Sequence, residues 1–283
     1  MIEEVKKLPV IETLAELLVK NVDKFPLTDL YLAFPVLKSK DCPKSFPQLI
    51  KSCIVGGQER IKELVNSAVY SVEALLLLGE FKQSSIVQDT VKWIKQQRLE
   101  DGGWHWRPKH ELARKAGSEV WITLAIYDLL KRVGEDQAYL ESIRDYLYRS
   151  LEKTPKEKMI GWSRLAYIRT ALRMLEDPYV RPSMKKSAQE YLLKTIEKLK
   201  SQQLPNGGWA GSKKTKQGGI FQTVMVLNTL VEAGLDLSDE SIQKGFTFVA
   251  QRIDRLLHAK WGGVLIQALS IFADTLLKLK LIN

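Results

Sequence analysis

Three carboxylates and two basic loops are the side chains in this sequence whose type and placement could do chemistry. Glu119, Asp128 and Asp274 lie in stretches with helical spacing and apolar neighbours. A carboxylic acid kept protonated in an apolar cavity can protonate an alkene or an epoxide. Asp274 interrupts the otherwise apolar run Ile266 to Leu279 and is the best of the three candidates. The competing reading is a carboxylate that faces solvent or an arginine. The basic residues follow two Gly-Gly-Trp triplets: Arg107, Lys109, His110, Arg114 and Lys115 after the first, Lys213, Lys214 and Lys216 after the second. Brought to one mouth, they would attract a diphosphate or another polyanion. Solvated lysines on surface loops are the alternative. Arg169 and Arg173 share a helix face by their spacing. Turned inward, they need an anion or a carboxylate.

Other chemistries lack their residues. His105, His110 and His258 are scattered, and Cys42 and Cys53 are separated by ten residues. Zinc needs three or four converging ligands, so no metal and no cofactor is expected. Phosphate-binding loops, dinucleotide fingerprints and a hydrolase triad are missing from the sequence. Asp236-Leu237-Ser238-Asp239-Glu240 is acidic, but it follows Gly234 and reads as a helix N-cap.

The elements that must position these groups are helices. β-type alternation is nearly absent, and Gly and Pro separate long stretches of helical periodicity. Val10 to Val22 reads as amphipathic, and a shorter helix follows from Thr28. Pro35, Pro43 and Pro47 interrupt the next stretch. From Glu59 the pattern is regular, with helices ending at Gly79, Leu99, Gly134, Glu152, Glu176, Gln203, Ala233, about Leu257 and about Leu281. Thr123 and Thr223 each lie eleven residues before a glycine, Gly134 and Gly234. Trp104, Trp162, Trp209 and Trp261 recur every 47 to 58 residues, the length of a helical hairpin with its loops. Hairpins stacked side by side bury one helix of each pair almost completely. The more apolar helices, starting near Glu59, Ser118, Trp162, Ile220 and Gly262, belong inside. A segment near Thr28 to Lys38 would be a sixth and would let the array close. Residues 1–58 are thus expected to pack on or complete a repeat body formed by residues 59–283.

The repeat unit is Trp93-Ile94-Lys95-Gln96-Gln97-Arg98-Leu99-Glu100-Asp101-Gly102-Gly103-Trp104, copied at Lys198 to Trp209. Residues 244–263 are a decayed copy and Gly161-Trp162 a remnant. This pattern resembles the repeat of squalene and oxidosqualene cyclases and, equally, that of protein prenyltransferase β subunits. The resemblance covers about residues 59 to 282. It implies an all-α fold, an α/α toroid of about five to six helical hairpins, with two concentric rings of helices around an apolar cavity. It also implies that Gln97 and Gln203 cap the next inner helix, with Leu199 in the place of Trp93. Trp104 and Trp209 would stack on their turns. The active-site signatures of both families are missing: no Asp-x-Asp-Asp, and after Gly211 lysines without the zinc ligands.

Composition bounds the rest. The chain has 283 residues, 45% hydrophobic, with formal net charge +10. No apolar run is long enough for a signal peptide or a membrane span, so a soluble, cytoplasmic protein is expected. Three functions fit: an isoprenoid or prenyl diphosphate bound or processed in the cavity, a non-catalytic scaffold for a protein partner, or polyanion binding, nucleic acid included, through the basic loops.

Overall fold

The computed structural model describes residues 9–21, 27–108, 116–153, 162–210, 218–252, 257 and 264–282. Every regular element among the described residues is helical. The helices are α1 (Val10–Lys20), α2 (Phe34–Lys38), α3 (Phe46–Gly56), α4 (Val65–Leu77), α5 (Ser85–Gln96), α6 (Val120–Val133), α7 (Gln137–Lys153), α8 (Trp162–Glu176), α9 (Pro182–Ser201), α10 (Ile220–Glu232), α11 (Glu240–Ala250) and α12 (Val264–Lys278). Two 3-10 segments, Leu27–Ala33 and Gln58–Glu63, precede α2 and α4. Among the described residues, no helix is long and apolar enough to cross a membrane.

Packing separates these helices into two layers. Helix α4 touches α6, α6 touches α8, α8 touches α10 and α10 touches α12. Helix α12 then meets α2 and the 3-10 segment Leu27–Ala33, and that segment packs back on α4. Six elements thus form a closed inner ring. Helices α5, α7, α9 and α11 pack outside α4, α6, α8 and α10, and α1 packs on α12. Burial follows the layers. In α10 the buried set is Ile220, Thr223, Val224, Met225, Leu227, Asn228, Thr229, Leu230 and Val231, which is most of its circumference. In outer α5 only Val87, Thr90, Val91 and Ile94 are buried, one stripe of an amphipathic helix. The architecture is the all-α toroid, and it closes through the 3-10/α2 segment, where Ser270 Oγ donates to the Leu32 carbonyl at 3.3 Å.

Local chemistry explains where the elements start and stop. Asp239 caps α11, its carboxylate accepting from the Ser241 and Ile242 amides. Gly134 ends α6 at φ +90°, a left-handed C-cap. Two readings from the sequence change. Pro47 does not break the chain there but sits in the first turn of α3, where a missing N–H costs nothing. The stretch from Glu59 to Gly79 is not one helix. Leu64 is extended at φ −134°, and the Val65 amide donates to the Trp106 carbonyl at 2.8 Å. The repeat turn thereby fixes the start of α4.

Candidate functional site

The repeats hold the inner helices in register. Trp104 Nε1 donates to the Ile94 carbonyl at 2.7 Å, and Trp209 Nε1 donates to the Leu199 carbonyl at 2.7 Å. The Trp104 amide donates to Thr123 Oγ1 at 2.9 Å, the Trp209 amide to Thr223 Oγ1 at 3.1 Å. The first amides ahead of the next inner helix reach back: Glu119 to the Trp104 carbonyl at 2.8 Å and Gly219 to the Trp209 carbonyl at 3.0 Å. Each Trp therefore ties an outer helix end to an inner helix start.

This register corrects the sequence alignment by one residue. Leu199 stands in the place of Ile94, not Trp93. Counting back from the tryptophans, Gln202 matches Gln97, and Gln203 matches Arg98. Gln203 Nε2 donates to the carbonyls of Gly207 and Ser241, both at 2.8 Å. Arg98 Nε donates to the Gly102 carbonyl at 2.9 Å, and its Nη1 to Ser142 Oγ at 2.8 Å. The brace thus clamps its own turn to the following outer helix, α7 or α11, rather than capping an inner helix. Thr123 and Thr223, spotted only by spacing, take the inner-helix role.

Each inner helix packs its back on an outer helix and its flanks on neighbours, which leaves one face for the central lumen. Half-buried residues mark that face at helical spacing: Asn66, Tyr70 and Glu73 on α4; Trp121, Ala125 and Asp128 on α6; Gln267, Ile271 and Asp274 on α12. Tyr31 and Phe34 extend it on the sixth element, with ring centroids 5.4 and 6.1 Å from that of Tyr70. The Tyr70 phenol, pushed up to about 12 mainly by burial, also feels Arg169 of α8, two positions round the ring. The lumen face at this level is aromatic.

Toward the C-terminal ends of the inner helices, the lumen face becomes charged. Lys38 of α2 lies 3.5 Å from Asp274 of α12, and Asp274 lies 2.7 Å from Lys278. Lys278 is 3.5 Å from Glu232 of α10, which meets Arg169 at 2.8 Å and Arg173 at 3.7 Å on α8. Arg173 reaches Asp128 of α6 at 3.1 Å. Arg132 of α6 pairs with Glu73 of α4, and Glu73 in turn feels Lys38. Asn228 bridges the ring, donating to Asp274 at 3.0 Å and accepting from Arg169 at 2.9 Å. All six inner elements contribute. Counting Glu176, which pairs with Arg173, five cations face five carboxylates, so the ring compensates itself.

The ring decides the ionisation of its members. Burial pushes the Asp274 carboxyl up, but Lys278, Lys38 and the Asn228 amide outweigh it and hold the pKa well below the usual range. Asp274 is therefore an ionised partner, the opposite of a resting proton donor. Burial raises Asp128, only partly countered by Arg173. Glu119 stands apart at the N-cap of α6, where its Oε2 accepts from Trp121 Nε1 at 3.0 Å. It is nine residues from Asp128, about 13 Å along the helix. Of the three acidic candidates, Asp128 and Asp274 join the same ring, each against its own cations, and Glu119 does not. Of the basic candidates, Arg107 is exposed with its guanidinium 4.6 Å from the Trp106 ring centroid. Lys109, Arg114, Lys213, Lys214 and Lys216 lie outside the described residues.

Sequence reasoning missed most of the ring, yet a signal was present. Glu73, Asp128, Asn228 and Asp274 each lie six residues before a left-handed residue that ends its helix: Gly79, Gly134, Gly234 and Lys280. Equal distance from equivalent caps puts them at one height.

A closed ring of parallel inner helices, braced by Gly-Gly-Trp turns and wrapped by an outer layer, defines a terpene cyclase-like α/α toroid. The chain belongs to the prenyltransferase α/α toroid domain family, whose model matches residues 58–157 and 135–256. Among solved structures, it is similar to a single-residue variant of the type II terpene cyclase MstE from Scytonema in its apo form, with TM-score 0.64 and 10% identity over 95% of this chain and 98% of that one. It is also similar to a variant of that cyclase in complex with its substrate, geranylgeranyl dihydroxybenzoate, with TM-score 0.62 and 9% identity over 97% and 99%. No curated protein matches the sequence significantly.

Proposed function

We propose that this toroid holds an isoprenoid or prenylated ligand in its lumen, the chain entering between the N-terminal ends of the inner helices. The observation that carries this reading is the lumen face itself. Tyr31, Phe34, Tyr70, Ala125 and Ile271 leave part of their apolar surface uncovered above the charged ring. Apolar surface turned toward an enclosed space favours an apolar occupant. The ring beneath it bars that end, because a hydrocarbon passing there would strip compensated charges of their partners. A structural neighbour that binds a geranylgeranyl-bearing substrate supports the same reading.

The test is direct binding. Geranylgeraniol titrated into the purified protein should quench or shift the emission of Trp121 on the lumen face, with saturation at one ligand per chain. Native mass spectrometry should show the same stoichiometry. A Trp121→Phe variant should bind but lose most of the optical signal. Absence of saturable binding, or binding of several ligands per chain, would contradict the proposal.

A further inference from the structure

The charged ring is neutral as a whole but not sector by sector. On α2, α12, α10 and α8, four cations gather on two carboxylates. Lys38 and Lys278 flank Asp274 at 3.5 and 2.7 Å. Lys278, Arg169 and Arg173 surround Glu232 at 3.5, 2.8 and 3.7 Å. On α4 and α6 the cations are fewer. Glu73 has Arg132, and Asp128 has Arg173, which it shares with Glu232 and Glu176. Glu176, the fifth carboxylate, is 65% exposed and meets Arg173 from the solvent side.

The carboxylates register this asymmetry. Burial pushes all four inner carboxyls up. At Asp274 and Glu232 the clustered cations outweigh burial and hold the carboxyl below its ordinary value. At Glu73 and Asp128 the arginine contacts do not, and both stay raised. Helix ends do not explain the imbalance. The inner helices all present C-terminal carbonyls at this end, which attract lysine and arginine. That attraction is the same around the ring, whereas the cations collect in one sector.

The cation-rich sector also has unused donors and a fixed geometry. Among the described residues, Lys38 Nζ meets Asp274 alone, one of its three donors. Arg169 uses Nε on Glu232 and Nη2 on Asn228, two of its five donors. Asn228 is 1% exposed and ties the sector together. Its Nδ2 donates to Asp274, and its Oδ1 accepts from Arg169 at 2.9 Å and from Lys278 at 3.2 Å. Lys38, Lys278 and Arg169 are therefore gathered around one Asp274–Asn228 pair. Cations held together by too few carboxylates repel one another, and an oxyanion with several acceptor oxygens relieves that repulsion.

We propose that Lys38, Lys278 and Arg169, held around Asp274 and Asn228, form a binding site for a phosphate-type oxyanion at the floor of the lumen. The site lies at the end of the toroid away from the Gly-Gly-Trp turns, and it stands on the ring alone. Its anion is either free, a phosphate or diphosphate reaching the ring from that end, or the diphosphate head of a prenyl chain lying in the lumen.

Inorganic phosphate and pyrophosphate, titrated at pH 7 and constant ionic strength in chloride, test the site by melting temperature and calorimetry. The wild type should show one saturable site, tighter for pyrophosphate. Lys38→Gln and Arg132→Gln are a matched pair, because both side chains are 47% exposed and each change removes one positive charge. Lys38→Gln should weaken the anion about tenfold, and Arg132→Gln by less than about twofold. Lys278→Gln repeats the test if Lys38→Gln fails to fold. Geranylgeranyl diphosphate separates the two sources. If the anion is a prenyl head group, this ester should bind about tenfold more tightly than pyrophosphate or geranylgeraniol, and Lys38→Gln should remove the advantage. If the anion is free, pyrophosphate should leave geranylgeraniol binding unchanged, and the ester should gain nothing over the alcohol. Either result upholds the site. No saturable response to either anion, with the ester no tighter than the alcohol, would overturn it. Equal weakening in the Lys38 and Arg132 variants would overturn it too, and in both cases geranylgeraniol binding would still stand. Anion binding without geranylgeraniol binding would uphold the site and overturn the lumen reading.

Discussion

Glu232 offers the sharpest test of whether the ring closes the lumen as a unit. Its side chain is 15% exposed and collects Arg169, Lys278 and Arg173 at 2.8, 3.5 and 3.7 Å. Glu232→Gln keeps the shape and removes the charge. The three cations then face one another with Asp128, Glu176 and Asp274 as the nearest counter-charges. At an effective dielectric of about 20, a contact pair is worth up to about 4 kcal/mol. The cationic partners are each about one-third exposed, between 31% and 36%, so screening and side-chain entropy reduce each pair to about 1 kcal/mol. Three pairs give a loss of about 2–3 kcal/mol. For a chain of this size that is a fall of about 4–10 °C in melting temperature.

The pH dependence carries the sign. Burial pushes Glu232 up, but Arg169, Lys278 and Arg173 together hold it below the ordinary glutamate value. A depressed carboxylate stabilises fully above its unfolded pKa of about 4.3, and that contribution disappears as pH falls through the folded value. Thermal and urea unfolding, followed by circular dichroism at pH 7 and in steps down to pH 3, should show wild type and Glu232→Gln apart at neutral pH and converging in acid. Arg169→Met in the Glu232→Gln background should cost less than in the wild type, because its main partner is already neutral. A loss under about 0.5 kcal/mol at pH 7, the scale of an isolated surface pair, would refute the idea of a cooperative ring.

Other perturbations test the parts that position the lumen. Asp177 accepts from Tyr127 Oη and the Tyr179 amide, and Arg144 lies 3.4 Å away, all packed between α6, α7 and α8. Its side chain is 2% exposed, so Asp177→Ala should cost about 3–5 kcal/mol by stranding a buried guanidinium and phenol. Urea unfolding reads that directly. Gly207 sits at φ +85° with the Lys244 backbone against the position a Cβ would take. Gly207→Ala should destabilise by more than about 1 kcal/mol, whereas alanine at Gly219, where space is open and φ is −93°, should be nearly neutral. Thr223→Val removes the acceptor for the Trp209 amide and should cost about 1–3 kcal/mol, seen as a lower urea midpoint with an unchanged slope.

The architecture was legible because it repeats. Gly-Gly-Trp at hairpin spacing, with Thr123 and Thr223 at equal distances from Gly134 and Gly234, specifies one brace built twice. What misled was the doubled glutamine. Gln96-Gln97 and Gln202-Gln203 look equivalent, but they are offset by one residue against their tryptophans. Only hydrogen-bond geometry reveals that Arg98 does the work of Gln203. The charged ring was harder to read, because its members come from six elements and pair across the fold. Asp274 alone looked like a stranded acid. Its partners Lys38 and Asn228 lie 236 and 46 residues away in sequence.

The central claim is that an isoprenoid chain occupies the lumen above a sealed floor. Binding of geranylgeraniol to the wild type and to a lumen-filling Ala125→Phe variant tests it most directly, with circular dichroism to check the fold. The account predicts one saturable site in the wild type and at least a tenfold loss in the variant, by steric exclusion. Unchanged affinity in a folded Ala125→Phe protein would contradict it.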